Sequence, residues 1–281
     1  MIRSRVLPLA GGLLLVVSTA GFGSRPTAPE VVRDVRPDTS RPRAGAATSR
    51  PRAGTAEDAL RALTPHVRRM SDPGALATAV RAYYNYRDAH PDAVRKPYLY
   101  FVDLGLGNST ARGYVFDMDA QRLVEGPFMV AHGRGSGPRN GVPQKFSNRP
   151  GSYASSLGLY LAQETYTFSG KANGRRYSSV GLRMRGESGA FNGAARARGI
   201  VAHGAPYVNG REAGRSEGCP AMEPARANRL LPLIADGGVV FIYSPNDTRW
   251  LDRDPWVNGS GERRPALLGT ALPAAAESAP R

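Results

Sequence analysis

Apolar and polar positions change period along this chain. From residue 56 they recur with helical spacing: AEDALRALTPHVRRM sets Ala59, Leu60, Leu63, Val67 and Met70 along one side. Ser71-Asp72-Pro73 breaks the run, and ALATAVRAYYNYRDAH resumes it through Leu76, Val80, Tyr83 and Tyr84. Residues 56–95 thus predict a small helical hairpin packed on the main domain. From residue 97 the pattern becomes that of strands. YLYFVDLGL (98–106) and ARGYVFDMD (111–119) are rich in β-branched and aromatic residues and are separated by the turn signal GNST. PFMVAHG (127–133), LGLYLAQETYTF (157–168), SVGLRMRG (179–186), GIVAHGA (199–205) and GGVVFIYS (237–244) continue the series. One late helix is expected in PARANRLLPLIADG, with Pro224 in its first turn, Leu230 and Ile234 on one face, and Pro232 kinking the last turn. Many short strands between turns predict a mainly β fold, a sandwich or barrel with short helices, over residues 96–244.

The flanks read differently. Arg3 and Arg5 precede the twelve apolar residues VLPLAGGLLLVV and the small residues Ser18-Thr19-Ala20, so residues 1–22 predict a signal peptide and a periplasmic or other extracytoplasmic location. That run is shorter than the roughly 20 residues a spanning helix needs, and the mature chain is expected to have no membrane span. Residues 23–55, with RPRAG twice, predict a disordered linker. Residues 245–281 return to proline, alanine and arginine and predict a flexible tail. The net charge of +15 is carried mostly by arginine. It favours acidic polymers as neighbours, and export argues against nucleic acid.

Candidate chemistry centres on the single cysteine. One cysteine forms neither an intramolecular disulfide nor a four-cysteine zinc site. Cys219 lies in the polar, turn-like SEGCP, shortly before the late helix, whose N-terminus would favour a thiolate. His203 ends the apolar strand GIVAHGA, and the loop through Gly204, Gly210 and Gly214 can return the chain to bring the two together. The expectation is an activated thiol with His203 as its base. Residues 214–218 also match the G-x-S-x-G elbow of serine hydrolases, but every histidine precedes Ser216, so the elbow is set aside. His132, His203 and Cys219 have none of the compact spacings of a zinc site, and no metal or other cofactor is expected.

VAHGRGSG, FSNRPGSYASSLGLYLAQETY, GLRMRGESGAFNGAARARGIVAHGAPYV and GRSEGCPA, in that order across residues 96–244, resemble the murein L,D-transpeptidase catalytic domain family, the YkuD-type cysteine enzymes of bacterial cell walls. The resemblance implies a mostly β fold with the site in a loop-walled cleft. It implies Cys219 as nucleophile, His203 as base, a carbonyl near Gly204 orienting the ring, an oxyanion hole of N–H groups at Gly218 and Cys219, and Ser216 supporting the loop. His132, Arg183, Arg185 and Arg215 are the further candidates for support or for holding a substrate carboxylate. Two departures stand out: Glu217 where many members have histidine, and Pro220-Ala221 after the cysteine. The implied activity is acyl transfer on peptidoglycan stem peptides through a cysteine thioester. A carboxypeptidase or crosslink-cleaving hydrolase with water as acceptor, and a non-catalytic wall-binding module, are the alternatives.

Overall fold

The computed structural model describes residues 54–68 and 70–259; the predicted signal peptide, nearly all of the predicted linker and the last 22 residues lie outside the described residues. Helix α1 (Ala56–Leu63) starts at a reciprocal cap: Asp58 N–H donates to Thr55 Oγ1, and the Asp58 carboxylate accepts from Thr55 N–H, both at 3.2 Å. Thr55, assigned above to the linker, is therefore the helix start. With α2 (Ala75–Ala89), it buries Ala59, Leu63, Leu76, Val80 and Tyr83 in the same core as the strands. Ser71, between the two helices, donates to the buried Asp103 carboxylate through both its N–H and its hydroxyl.

The strands are β1 (Tyr98–Asp103), β2 (Gly113–Asp117), β3 (Arg122–Phe128), β4 (His132–Gly133), β5 (Gly158–Ala172), β6 (Arg175–Gly186), β7 (Val201–Gly204), β8 (Arg215–Ser216), β9 (Ala221–Met222) and β10 (Val239–Tyr243). Eight of them form one mixed sheet in the order β3-β2-β1-β10-β5-β6-β7-β9, and β4 pairs in parallel with β8. Just past β3, Ala131 bridges to Ala221 of β9, its N–H 2.8 Å from the Ala221 carbonyl. A single bridge thus ties the chain just past one end of the strand order to β9 at the other end. The chain is sheet-rich with a few short helices, as its pattern predicts.

Strands β1, β2 and β10 are buried at nearly every position, which matches their unbroken apolar runs. Helix α2 packs on β1 and β10, while α3 (Pro224–Ile234) packs on β6 and β7 and runs through Pro232 to Ile234. Strand β5 starts buried and then alternates, as does the part of β6 beside it. These two outgrow the sheet as a two-stranded arm whose turn is Asn173-Gly174, both at positive φ (48° and 78°). Asn-Gly is the pair such a two-residue hairpin turn favours.

The predicted tail needs correction for residues 245–259. Trp250, in the short helix α4 (Thr248–Leu251), is fully buried, and its indole N–H donates to the Ser244 carbonyl. Trp256 is also buried; its indole N–H donates to the Glu187 carbonyl at 2.7 Å, and its own carbonyl accepts from Asn85. The flanking prolines and arginines hide two aromatic anchors, each bringing large apolar area to the core.

Candidate active site

Strand β7 carries His203 into register with Ala221 of β9. The chain then loops out, returns through β8 beside β4, and reaches Cys219 just before β9. Cys219, His203, Ser216, Arg215, Glu217 and Phe168 share the wall of one cleft of about 720 Å³, to which the β5–β6 arm contributes Phe168, Lys171 and Tyr177.

His203 is 2% exposed. Its ring lies on Phe168, centroids 4.0 Å apart and planes 17° from parallel, and Nδ1 is 3.0 Å from the Gly204 carbonyl oxygen. A carbonyl only accepts, so Nδ1 carries the proton and Nε2 keeps its lone pair. Burial pushes the imidazole down to about 4, against the smaller upward pull of the Gly204 carbonyl. The ring is therefore neutral near pH 7.

Cys219 is buried, and its sulfur lies 3.8 Å from the Gly199 carbonyl oxygen. Burial pushes the thiol up to about 11; the Val201 N–H and Arg198 act in the opposite direction, and Glu217 reinforces the rise. This differs from the expectation of a thiol already activated by His203: burial favours the neutral form of both groups. Among the hydrogen bonds of the described residues none joins the two. Helix α3 begins only at Pro224, with Glu223 as its cap, so β9 separates Cys219 from the helix end that was expected to favour its anion.

The loop around the thiol is braced from two sides. Ser216 Oγ donates to the Cys219 carbonyl at 2.6 Å and accepts from Gly218 N–H at 3.2 Å. Ser155 Oγ donates to the Gly218 carbonyl at 3.1 Å and accepts from Gly133 N–H at 3.0 Å. Gly218 sits at φ 125°, and a Cβ there would come within 2.6 Å of Ile200 Cδ1, so the position requires glycine. The expected oxyanion donor at Gly218 is corrected by the same geometry, because that N–H is committed to Ser216. Cys219 N–H donates to no acceptor among the described residues. The Gly218 carbonyl is turned to Ser155, and the trans peptide directs Cys219 N–H the opposite way.

The remaining candidates separate. Arg215 lines the cleft and donates to the Gly137 carbonyl at 3.2 Å. Arg183 and Arg185 do not line it: Arg183 pairs with Glu164 at 3.1 Å and lies over Tyr166, and Arg185 pairs with Glu187. Arg183 shares the His203 face of β6 but stands opposite Val201, farther along the strand, and each arginine is engaged by its own acid, so neither is placed to hold a substrate carboxylate at Cys219. His132 is fully buried outside the cleft lining, its Nδ1 3.0 Å from Nη2 of Arg112, itself fully buried. His132 thus stands apart from His203 and Cys219, outside the cleft that those two line.

Sequence reasoning missed four contributors. Phe168 reads in the sequence only as a strand residue. Ser155 and Arg112 carry no local motif. Arg198 lines the cleft, yet its guanidinium donates to Ser147, Ser152, Ala154 and Ser156, making it a clamp on the 147–156 loop. Only the alternation that puts Phe168 on the His203 side of the arm is visible in the sequence.

A family model described as the L,D-transpeptidase catalytic domain matches residues 68–243, more than half of the chain. No curated protein matches it in sequence. Among solved structures, an L,D-transpeptidase from Mycobacterium smegmatis is similar at 13% identity over 53% of this chain and 59% of its own, with a TM-score of 0.34. L,D-transpeptidase 3 from Mycobacterium tuberculosis, in complex with a faropenem-derived adduct, gives 12% identity over 53% and 60%, with a TM-score of 0.34. An L,D-transpeptidase from Stackebrandtia nassauensis gives 14% over 68% and 91%, with a TM-score of 0.33. The chain spans about three fifths of the length of the first two. On the family match, the chain belongs to the L,D-transpeptidase catalytic domain family.

Proposed function

We propose that this protein is an exported cysteine L,D-transpeptidase that joins peptidoglycan stem peptides through a thioester on Cys219. The observation that carries the reading is the pairing, within one cleft, of the chain's single cysteine with a neutral histidine whose Nδ1 proton is held by Gly204. That leaves Nε2 free to act as a base in the cleft that Cys219 lines. The N-terminal pattern of residues 1–22 supports export, and the cationic cleft, with Arg134, Lys171, Arg198 and Arg215 against the single acid Glu217, suits an acidic peptide.

With thiol and imidazole both neutral at rest, the proton moves as the C–S bond forms. His203 Nε2 takes the Sγ proton while sulfur attacks the carbonyl carbon of the diamino acid preceding a terminal D-alanine. The negative charge passes to the carbonyl oxygen, where Cys219 N–H is the donor available to it. Collapse of the tetrahedral adduct breaks the C–N bond. The amine of D-alanine leaves with the proton from His203, and the acyl group remains as a thioester. An acceptor amine from a second stem then attacks the thioester, gives its proton to Nε2, and displaces sulfur, which recovers a proton from His203. Phe168, face-on to the ring, also favours the transient imidazolium.

The test is mass spectrometry of tetrapeptide muropeptides incubated with the purified protein. The expected result is a dimer lacking one D-alanine, with an acyl adduct on Cys219 that is absent from Cys219→Ala. Monomeric tripeptide alone would make water the acceptor, and folded protein with no adduct and no product would overturn the reading.

A further inference from the structure

Among the described residues, Arg134 is the one cleft arginine whose guanidinium has no committed hydrogen bond. Its backbone N–H is fixed to the Ser216 carbonyl at 2.7 Å, which ties it to the cysteine loop. Its guanidinium carbon lies over the Tyr153 ring, 3.6 Å from the centroid, a contact that supports the group. The nearest acid, Glu217, approaches only to 3.6 Å, beyond hydrogen-bond range, and both side chains are well exposed. None of the five guanidinium donors of Arg134 is taken up by an acceptor of the described residues. Arg198, by contrast, is engaged by four acceptors and Arg215 by the Gly137 carbonyl.

Tyr153 is itself unusual. It is the one exposed large hydrophobic side chain among the described residues, at 40%, and it sits at φ 53°. A bulky residue there is held against its preference by surrounding structure. Here the hold is the bond from Gly135 N–H to the Tyr153 carbonyl at 2.9 Å, in a stretch so tight that a Cβ on Gly133 or Gly135 would collide with it. The effect of this conformation is to present a ring to the cleft beneath the guanidinium.

We propose that Arg134, stacked on Tyr153, is the subsite for a carboxylate of the peptide acyl donor, and that Glu217 is an internal stand-in which the substrate displaces. The inference rests on the acyl-transfer reading for the identity of the ligand, but not for the existence of the anion site. Glu217 hangs two residues from Cys219, so a carboxylate replacing it belongs to the residue beside the scissile bond, the one that leaves. Bidentate pairing of a planar guanidinium with a carboxylate would replace a loose internal contact with two charge-assisted bonds. It would also move the Glu217 charge away from the thiol, whose proton that charge helps to retain.

The experiment compares two alkylating reagents of similar size on the full chain, anionic iodoacetate and neutral iodoacetamide, by intact mass. Taking their rate ratio cancels any change in thiol acidity common to both. Arg134→Gln is expected to lower the iodoacetate-to-iodoacetamide ratio about three- to tenfold, the scale of one nearby charge in a partly solvated cleft. Glu217→Gln should raise the ratio, Tyr153→Leu should lower it by less, and Arg215→Gln should move it least. An unchanged ratio in Arg134→Gln, or an equal fall in Arg215→Gln, would overturn the subsite. In a second arm, a tetrapeptide donor and its C-terminal amide are compared in turnover. Amidation should raise KM in the wild type and have little effect in Arg134→Gln; an equal penalty in both would place the carboxylate elsewhere. The expected alkylation pattern without any turnover leaves the anion site standing and removes the transpeptidase reading. Turnover without the alkylation pattern does the reverse.

Discussion

Residues 130–133 and 201–204 carry the same four residues, VAHG, and each puts a buried histidine at a strand end. Burial holds both rings near a pKa of 4, so charge does not separate them. What separates them is the atom facing Nδ1. For His203 it is the Gly204 carbonyl, which accepts and so leaves Nε2 with its lone pair. For His132 it is the guanidinium of Arg112, which only donates, so Nδ1 must accept and Nε2 carries the hydrogen. That Nε2 is buried without a hydrogen-bond partner; the Gly137 and Pro138 carbonyls favour its proton from outside good bonding geometry. Identical tetrapeptides thus hold opposite tautomers, and only one presents a base to the cleft. A strand-end histidine is assigned by its partner, not by its neighbours in sequence.

The largest test of this contrast is kinetic. His203→Gln should lower kcat/KM for acyl transfer by about 10²- to 10⁴-fold, the usual worth of a positioned general base. His132→Gln should stay within about tenfold of wild type. Comparable losses in both, measured in folded protein, would erase the distinction. Next in size is Arg112→Met. Arg112 donates to the carbonyls of Val130 and Leu106 as well as facing His132, all in the interior. Stranding those acceptors should cost about 3 kcal/mol in urea unfolding, at about 1–3 kcal/mol per orphaned buried group. A loss below about 0.5 kcal/mol, the scale of surface substitutions, would mean that His132 does not depend on this cation.

Acid stability probes what the two rings share. Each is lowered from 6.5 to about 4 in the fold, so the unfolded chain binds more protons between those values. The contribution of each ring is present in full above pH 6.5 and is lost as pH falls toward 4, at up to about 3 kcal/mol per ring. Unfolding free energies of His132→Gln and wild type should therefore converge as pH is lowered through this window; parallel curves would show that the ring is protonated as easily in the fold. The smallest effect is expected for Ser155→Ala. Its hydroxyl links Gly133 of the first VAHG segment to the Gly218 carbonyl. Without it kcat should fall about tenfold with KM little changed, as for loss of one positioned donor's alignment. A change in KM alone would detach Ser155 from the oxyanion peptide.

Much of the architecture is legible in the sequence because its signals are local. The apolar runs of β1, β2 and β10, the helix opening at Pro224, and the singular Cys219 with His203 upstream each speak within a few residues. The arm turn is equally local, in Asn173-Gly174, but the apolar alternation that marks its strand fades after Phe168 and hides it. The remaining features depend on contacts distant in sequence. Gly218 N–H is consumed by a serine hydroxyl, Arg183 and Arg185 are taken up by Glu164 and Glu187, and Trp250 and Trp256 anchor a stretch whose composition suggests looseness. The acidity of Cys219 points the wrong way in the sequence for the same reason: motif and helix proximity suggest a thiolate, and burial is a property of the whole fold.

That buried, protonated sulfur also governs durability. Burial pushes the thiol up to about 11, so little of it is thiolate at pH 7. Thiolate is the form that peroxide oxidises and that exchanges into mixed disulfides. In the oxidising surroundings proposed for this protein, burial would thus slow the oxidation of a cysteine with no partner in its own chain. The same burial that slows the resting thiol preserves it.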